Sequence, residues 1–549
     1  MNLATVWETV AATVPDAPAT IHRDQVHSWR TFQDRAARLA AAFDEIGIGP
    51  GAKVALYLPN RPEYLEATFA AFKVRAATVN VNYRYLEAEL EYLFDNSDAE
   101  LIVVSADLAS RLEHLRDRLP KVRRIVCVGG GEDAHPCPDW ALDYETTVAT
   151  HEPMPPIERS GDDLWLLYTG GTTGMPKGVM WPHRSLLGTA AATFAILKEP
   201  VPTDVEGVAR VAALFAERGK AVRLLPAAPL MHGTSAITSL AVLSTGGCVV
   251  TLASRSFDAH ELCRAVQDNR VTQLTIVGDA FAKPILAALE DAAAVGEPYD
   301  LSSLKVMVSS GVMWSQQTKD ALLEWTGATL ADTLGSSEGV GFASSVARRG
   351  QAAPTARFSL GEHARVFTED GREVEPGSGE RGLMAVGGPI PIGYYKDPDK
   401  TAATFRTFGG RVWSVPGDYA TVEADGTIVL LGRGSACINT AGEKVYPEEV
   451  EETLKLHDAV LDANVVGVAD DKWGQSVNAV VSFVAGLDPD RRPSSSDLID
   501  HTRAHLAGYK CPKRVVVVDA VERGPNGKPD YRWAASVVER AVAAEHAGA

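Results

Sequence analysis

The sequence predicts an α/β protein with largely parallel sheets and at least two domains. Its 549 residues exceed the roughly 100–200 that one hydrophobic core usually organises. Apolar runs bounded by turn residues alternate with helical patterns, and this β-then-α order is typical of parallel sheets. Hydrophobic residues make up 46% and charged residues 23%, which is an ordinary globular composition.

The first third of the chain shows this alternation of predicted strands and helices most clearly. Residues 53–58 are a strand candidate, and a Pro-Asn turn separates them from a helical run at 63–73. Short apolar runs predict further strands at 101–104, 124–128 and 163–168. The last of these strands ends in a glycine-rich loop.

The pattern changes near residues 432–435, where a Gly-Arg-Gly-Ser segment interrupts the chain. We therefore expect a large domain at 1–432 and a small α+β domain at 435–549, with a hinge at the glycine-bearing joint. The elements predicted in the small domain are a helix that opens at Pro447, strands at 465–468 and 477–483, and a helix at 495–506.

The net charge limits the classes of ligand. Lys plus Arg is 53 and Asp plus Glu is 71, which gives 53 − 71 = −18. Such an acidic chain repels nucleic acid at long range, so we expect no nucleic-acid partner. A polyanionic ligand would have to be held by local donors or by a metal ion.

The cysteines and the apolar segments indicate a cytoplasmic protein. The six cysteines include no C-x-x-C pair, which favours reduced thiols over a disulfide framework. The start of the chain shows no signal-peptide pattern. The longest stretch without Asp, Glu, Lys or Arg, at 224–254, is broken by prolines and glycines, so we expect no integral membrane segment.

The strongest local motif is YTGGTTGMPKG at residues 168–178. Closely spaced glycines and threonines after a strand expose backbone N–H groups and hydroxyls, which suits a phosphate chain, and Lys177 adds a positive charge. The motif differs from a Walker A loop, which needs Ser or Thr directly after the lysine. A plain Gly/Thr surface loop is the alternative.

This motif resembles the signature of the adenylate-forming superfamily, which includes acyl-CoA synthetases, luciferases and peptide-synthetase adenylation domains. The resemblance covers nearly the whole chain, in the family's order. It implies a large N-terminal domain of α/β sheets with a small β-barrel-like subdomain, followed by a smaller mobile C-terminal domain. It also implies an AMP-forming acid–thiol ligase that uses ATP, Mg²⁺ and coenzyme A. Motifs such as TGGTTG, GSSEG and GEKVYPEEVE are most similar to bacterial fatty-acyl and steroid side-chain CoA ligases.

The resemblance also implies the site residues. Glu338 would bind Mg²⁺, a hard cation that prefers oxygen ligands. Asp418 would accept hydrogen bonds from the ribose hydroxyls, since a carboxylate can take both. The implied ATP-binding residues are Thr169, Gly170, Gly171, Thr172, Thr173, Gly174, Lys177, Ser310, Gly311, Asp332, Gly335, Ser336, Ser337, Asp418, Arg433 and Lys528.

Catalysis is assigned by the same resemblance to Lys528, Glu338 and His232. Lys528 lies in GPNGKP, which matches a C-terminal catalytic-lysine loop, and His232 would lie near the acid's carboxylate. The implied coenzyme A contacts are Asn439, Gly442, Glu443 and Lys444. The chain departs from the common family residues at Gly170, Leu334, Ser337, Pro416 and Ser435.

Other functions compete with the ligase. Residues 335–339, GSSEG, also satisfy G-x-S-x-G, so a serine hydrolase would use Ser337 as its nucleophile. A hydrolase elbow needs a following helix, and residues 340–344 make a poor helix start. A nucleotide-binding regulatory protein is a third class.

The motifs indicate a class of acid and not one particular acid. We expect a large hydrophobic acid, a fatty acid or a steroid side-chain acid, with aryl and bile acids as alternatives. Candidate pocket walls, each also expected in a core, are Met231, Phe281, Met313 and Trp314. The sequence leaves the oligomeric state open, a homodimer included.

Overall fold

The computed structural model divides the chain into two compact units. The first comprises residues 1–354, 361–363 and 386–414, and the second comprises 355–360, 364–385 and 415–549. A boundary at 432–435 stays a prediction, as does a barrel-like subdomain. The residues that the structure describes are 1–129, 135–169, 175–311, 314–351, 357–433, 438–440, 443–470, 474–488, 491–506, 508–524 and 528–548.

Helices and strands follow one another along the whole chain. The helices are α1 (Leu3–Thr13), α2 (Trp29–Ile46), α3 (Pro62–Lys73), α4 (Glu87–Asn96), α5 (Ala106–Ala109), α6 (Tyr144–Thr150), α7 (His183–Thr189), α8 (Ala191–Phe194), α9 (Val205–Glu217), α10 (Gly233–Leu243), α11 (Ala259–Asp268), α12 (Gly278–Ala294), α13 (Gln316–Trp325), α14 (Pro398–Thr404), α15 (Pro447–Lys455), α16 (Ser495–His505) and α17 (Tyr531–Gly548). The strands are β1 (Pro18–His22), β2 (Gln25–Ser28), β3 (Lys53–Tyr57), β4 (Ala77–Asn80), β5 (Ala99–Ser105), β6 (Arg124–Val128), β7 (Leu142–Asp143), β8 (Leu164–Thr169), β9 (Lys177–Pro182), β10 (Arg223–Pro226), β11 (Cys248–Thr251), β12 (Gln273–Ile276), β13 (Val306–Ser310), β14 (Thr329–Ser336), β15 (Gly339–Ala347), β16 (Arg357–Leu360), β17 (Ala364–Phe367), β18 (Arg381–Val386), β19 (Gly393–Tyr394), β20 (Phe405–Phe408), β21 (Arg411–Ser414), β22 (Asp418–Val422), β23 (Thr427–Arg433), β24 (Ile438–Thr440), β25 (Glu443–Val445), β26 (Val460–Asp470), β27 (Gly474–Phe483) and β28 (Arg514–Val517).

The first unit is organised by largely parallel sheets, as the sequence predicts. One sheet runs β2-β1-β11-β10-β12-β13-β14-β15, with parallel pairs from β1 to β14. Another runs β19-β9-β8-β4-β3-β5-β6-β7, with parallel pairs from β8 to β7. The strands β2, β15, β9 and β19 pair antiparallel with their neighbours.

The central strands of these sheets are buried on both faces. In β3, Val54 and Leu56 join one hydrophobic core, while Ala55 and Tyr57 join another on the opposite face. Successive side chains of a strand point to opposite faces, so a strand covered on both sides reads as a continuous apolar run. This is why the predicted strands at 53–58, 101–104, 124–128 and 163–168 correspond to β3, β5, β6 and β8.

The second unit contains a sheet with helices on both faces. Its order is β25-β24-β27-β26, and β28 lies beside β27. Val450 of α15 and Leu498 of α16 belong to the core on one face, and Ala534 and Val538 of α17 belong to the core on the other. In the same unit, β22 pairs antiparallel with β18 and β23, and β23 with β16. The predicted α+β character is confirmed.

Two sequence expectations concern the chain as a whole. Across the described residues, no helix combines the length and apolar character needed to cross a bilayer. The cysteines that the structure describes are free thiols, as predicted, and Cys437 lies outside the described residues.

A buried histidine joins the first helix to the sheets. His183 opens α7 and is fully buried, and its Nδ1 accepts a hydrogen bond from the Leu3 N–H at 3.1 Å. Its ring lies edge-on to Phe72, with the centroids 4.2 Å apart. Burial lowers the pKa of His183 to about 3 from 6.5. The folded protein therefore keeps this ring neutral.

We predict that His183 contributes to loss of stability in acid. Between pH 6.5 and about 3 the unfolded chain binds a proton at His183 that the folded chain does not. The free energy of unfolding therefore falls by about 1.4 kcal/mol for each pH unit below 6.5 from this group alone. His183→Gln keeps an acceptor for Leu3 but does not titrate. Between about pH 7.5 and about pH 5.5, the free energy of unfolding measured with urea should fall less for this variant than for the wild type. If the free energy of unfolding falls equally in the wild type and in His183→Gln, His183 is not a source of the acid sensitivity.

Candidate active site

The carboxyl ends of the two parallel sheets of the first unit are joined by a buried asparagine. Asn80, the last residue of β4, is 5% exposed. Its Oδ1 accepts from the Tyr168 N–H at 2.6 Å, and its Nδ2 donates to the Tyr168 carbonyl at 2.8 Å and to the Met231 carbonyl at 2.6 Å. Asn80 thus connects the end of β8 to the residue before His232.

A second asparagine repeats this connection after β3. Asn60 Nδ2 donates to the carbonyls of Pro226 and Ala228 at 3.2 and 3.0 Å, and its Oδ1 accepts from the Leu230 N–H at 2.6 Å. The segment that follows β10 therefore has its backbone groups paired with side chains that follow strands of the other sheet. Ligands of open α/β sheets bind at such carboxyl edges.

The glycine-rich motif connects two paired strands. β8 and β9 run antiparallel, and Thr169 lies opposite Lys177. Residues 170–174, which include five predicted ATP contacts, lie outside the described residues. A Cβ at Gly178 would lie 2.5 Å from the Tyr168 ring, so glycine permits this ring to pack against the hairpin. The Lys177 ammonium pairs with Asp397 and lowers the pKa of that carboxyl group.

Glu338 is held beside the same hairpin. The Tyr394 hydroxyl donates to Glu338 Oε1 at 2.6 Å, and Tyr394 lies in β19, opposite Val179 of β9. The Trp181 indole N–H donates to the Ser337 carbonyl at 2.9 Å, which fixes the adjoining backbone. The structure therefore brings the predicted metal ligand next to the strands that flank the predicted phosphate loop.

The hydrolase interpretation is wrong. A nucleophile elbow needs a strand followed by a helix. Ser337 instead lies in the turn between β14 and β15, with Ser336 opposite Gly339 in the antiparallel register. Its carbonyl is engaged by Trp181, and β15 continues to Ala347 without a helix.

The neighbouring predicted nucleotide segments lie in adjacent strands. Ser310 ends β13 and lies opposite Thr333 of β14, and Gly311 follows with a left-handed φ of +93°. A Cβ at Gly335 would lie 3.5 Å from Ser310 Oγ, so these two segments are in contact. Asp332 is buried, and its Oδ2 accepts from Lys319 Nζ at 3.0 Å. This ion pair supports a structural role for Asp332, and its nucleotide contact stays a prediction.

His232 lies at the N-terminus of α10. Its N–H donates to the Pro229 carbonyl at 3.0 Å, which closes a turn before the helix. Gly233, the first helical residue, packs against β8, since a Cβ there would lie 3.1 Å from Leu167. Both neighbours of His232 are thus fixed by strands of the sheet that carries the phosphate motif.

The candidate wall residues differ in their surroundings. Trp314 is fully buried in a hydrophobic core, which favours packing over substrate contact. Met231 is 2% exposed, and its carbonyl accepts from Asn80. Phe281 is partly buried and lies edge-on to Phe257, with centroids 4.7 Å apart. Met313 lies outside the described residues.

The second unit brings other predicted residues together. Asp418 begins β22 and lies directly opposite Arg433, the last residue of β23. Asn439 of β24 lies opposite Lys444 of β25, and Thr440 lies opposite Glu443. Gly442, predicted to face coenzyme A, lies outside the described residues, as does Ser435. Lys528 is exposed.

Sequence reasoning missed the residues that hold the site. Asn60, Asn80, Trp181 and Tyr394 each pair with backbone or with Glu338 across long sequence separations. A signal existed for Asn60, because it follows the predicted strand at 53–58, whereas Asn80 ends a strand that the sequence did not predict. Nothing local distinguishes Trp181 and Tyr394 from other aromatic residues.

Family comparisons agree with this geometry. Residues 7–395 match the family described as AMP-binding enzyme, and residues 449–528 match the AMP-binding enzyme C-terminal domain. The chain belongs to the AMP-binding enzyme family, and the resemblance to the adenylate-forming superfamily is confirmed.

Individual relatives match over nearly their full length. A 3-oxocholest-4-en-26-oate–CoA ligase of Rhodococcus rhodochrous is 41% identical over 541 residues, which cover 97% of this chain and 95% of the relative. A medium/long-chain-fatty-acid–CoA/3-oxocholest-4-en-26-oate–CoA ligase of Mycobacterium tuberculosis strain H37Rv is 41% identical, covering 100% of this chain and 98% of the relative.

Solved structures share the fold at low identity. An anthranilate CoA ligase, AuaEII, in complex with anthranoyl-AMP has a TM-score of 0.82 at 22% identity, covering 99% of this chain and 98% of its own. ATP-bound MatB from Rhodopseudomonas palustris has a TM-score of 0.78 at 22% identity, covering 98% of this chain and 99% of its own. The predicted fold class is confirmed.

We predict that Asn80→Ala destabilises the first unit. It leaves buried backbone groups of Tyr168 and Met231 unpaired, which should lower the free energy of unfolding by about 2–4 kcal/mol. Asn82→Ala is a matched control, because the side chain of this nearby asparagine is paired, among the described residues, with the Arg84 N–H alone. Urea unfolding should show a loss of under about 1 kcal/mol for the control. Similar losses in the two variants would contradict a special role for Asn80.

Proposed function

We propose that this protein is an AMP-forming acyl-CoA ligase that activates a hydrophobic carboxylic acid. The observation that carries the proposal is the near-full-length similarity, at 41% identity, to relatives named as fatty-acid and steroid side-chain CoA ligases. The arrangement of the first unit supports it. Side-chain hydrogen bonds at one edge of the sheets link the β8–β9 hairpin to Glu338 and to the turn that precedes α10 at His232.

The chemistry explains why such a site needs donors and positive charge. A carboxylate is a poor electrophile, since its leaving group would be oxide. Reaction with ATP gives an acyl-adenylate, with pyrophosphate as the leaving group, and negative charge develops at the α-phosphate. Preorganised donors typically supply about 3–4 kcal/mol each to such a transition state. We assign this task to Lys528, and we assign the leaving phosphates to the segment from Thr169 to Lys177.

A magnesium ion is part of the proposal. Glu338 suits it, because a carboxylate oxygen is a hard ligand and the Tyr394 hydrogen bond orients the group. Bound Mg²⁺ would neutralise phosphate charge. Asp418 would hold the ribose hydroxyls, with Arg433 opposite it in the register.

The second step transfers the acyl group from AMP to the thiol of coenzyme A. We propose that the small domain rotates between the steps, which withdraws Lys528 and presents the segment around Gly442, with Asn439, Glu443 and Lys444 as coenzyme A contacts. His232 would lie beside the carbonyl that is attacked. No covalent enzyme intermediate is required, so the cysteines have no catalytic task.

The first prediction from this proposal concerns the reaction and the acid. Pyrophosphate release should require ATP and an acid, and AMP and acyl-CoA should form when coenzyme A is added. Across fatty, steroid side-chain, bile and aryl acids, we expect the highest kcat/KM with a fatty or steroid side-chain acid. Highest activity with an aryl acid would contradict the substrate class alone. Absence of pyrophosphate release with every acid would contradict the ligase.

The second prediction concerns the catalytic lysine. Lys528→Ala should lower the rate of adenylation about 100-fold or more, because a charge-stabilising donor is lost. Thioester formation from a supplied acyl-adenylate should stay within about twofold of the wild-type rate, since Lys528 serves the first step. Lys513→Ala, which removes another exposed lysine of the second unit, is the control. If Lys528→Ala slows both half-reactions equally, Lys528 has no specific role in adenylation.

A further inference from the structure

The loop that carries Lys528 is closed at its base. The Gly524 N–H donates to the Lys528 carbonyl at 2.8 Å, and Arg523 pairs with Pro529 in an antiparallel bridge. These contacts join the residues on either side of 525–527, which lie outside the described residues. The backbone of Lys528 is therefore positioned by Arg523 and Gly524.

Arg523 is in turn fixed to the sheet of the second unit. Its Nε donates to Asp462 Oδ2 at 2.6 Å, and its Nη2 donates to Oδ1 of the same carboxylate, which makes a bidentate pair. The two side chains are 20% and 23% exposed. Asp462 lies in β26, and Asn464 of the same strand donates to the Glu522 carbonyl at 3.3 Å. The incoming side of the loop is thus attached to β26 at two successive residues.

The outgoing side of the loop is attached beside it. Asp530 Oδ1 accepts from the Trp533 N–H at 2.9 Å in the first turn of α17. Tyr531, the next residue, packs against the core that includes Val466 of β26, and burial and the Glu451 carboxyl group raise the pKa of Tyr531. Glu451 Oε1 accepts from the Val465 N–H of β26 at 2.8 Å. Both sides of the loop therefore depend on β26.

We propose that Arg523 is a positioning residue for Lys528, and that its bidentate pair with Asp462 sets the position of the Lys528 backbone. The inference rests on the proposed role of Lys528 in adenylation. A positioning effect is expected to be large, because a displacement of about 1 Å can cost about 100-fold in rate. Lysine at 523 would keep the charge but lose the planar fork that matches both carboxylate oxygens.

The test measures both half-reactions in the full-length protein with lauric acid and lauroyl-adenylate as probes. Arg523→Lys, Arg523→Gln and Asp462→Asn should each lower adenylation about 10–100-fold. Each should leave thioester formation from lauroyl-adenylate within about twofold of the wild-type rate. Because the two residues act through one contact, the Arg523→Gln/Asp462→Asn double variant should be no slower than the slower single variant.

The matched control is another ion pair of the same unit. Lys510 donates to both oxygens of Glu449 at 2.6 and 2.8 Å, and these side chains are 20% and 24% exposed. Lys510→Gln removes a carboxylate ion pair of similar burial that joins residue 510 to α15 and not to residues 522–530 around Lys528. Its adenylation rate should stay within about twofold of wild type, because this pair does not flank Lys528.

The remaining outcomes would overturn the inference. Parallel loss of both half-reactions in the Arg523 variants would mean that the pair only stabilises the unit. Wild-type adenylation in Arg523→Lys and Asp462→Asn would mean that the loop does not need the pair. If Lys528→Ala itself leaves adenylation intact, the proposed role of the lysine fails and the inference fails with it. If adenylation is lost in Lys528→Ala but not in the Arg523 and Asp462 variants, the proposed function is supported and the inference about Arg523 is wrong.

Discussion

The pairing of two asparagine side chains, one buried and one half-buried, with backbone at the carboxyl edge of the sheets is the constraint on which the predicted site of the first unit depends. Asn60 and Asn80 each hold three backbone groups of other segments. Loops at such an edge have no strand partner for their own N–H and carbonyl groups, and leaving them unpaired in a buried position is costly. The asparagines supply those partners. They thereby set the position of His232 relative to the end of β8, from which the phosphate motif begins.

The distribution of charge also constrains the proposed site. The chain carries a net charge of −18, yet the proposed reaction brings together a carboxylate and a polyphosphate. Positive charge must therefore be local. Lys177 pairs with Asp397 in this structure, so a phosphate that approaches Lys177 competes with an internal carboxylate. Glu338 is oriented by a neutral phenol, Tyr394, which leaves its negative charge available to a cation. Lys528 is exposed, its carbonyl accepts from the Gly524 N–H, and the neighbouring Arg523 is paired with Asp462 of β26.

Some residues that suggested chemistry also have structural contacts of their own. Asp332 belongs to a motif that resembles a nucleotide contact, but its carboxylate is buried against Lys319. Trp314, a candidate for the pocket wall, is completely buried in a core. The G-x-S-x-G pattern around Ser337 forms a β-turn. Burial favours packing for Trp314, and the strand–turn–strand topology excludes the hydrolase for Ser337, whereas the nucleotide contact of Asp332 stays a prediction.

The sequence by itself determined the α/β class, the strands β3, β5, β6 and β8, the α+β character of the C-terminal region and the adenylate-forming family. These follow from local periodicity and from contiguous motifs, which require no knowledge of long-range contacts. It also predicted Thr169, Lys177, Glu338, Asp418, Arg433 and Lys528 as site residues, and these roles stay predictions. The tertiary structure alone decided what holds them: Asn80 lies 88 residues from Tyr168, and Tyr394 lies 56 residues from Glu338. Such pairs arise from the order of strands in a sheet, and strand order leaves no periodic trace in the chain.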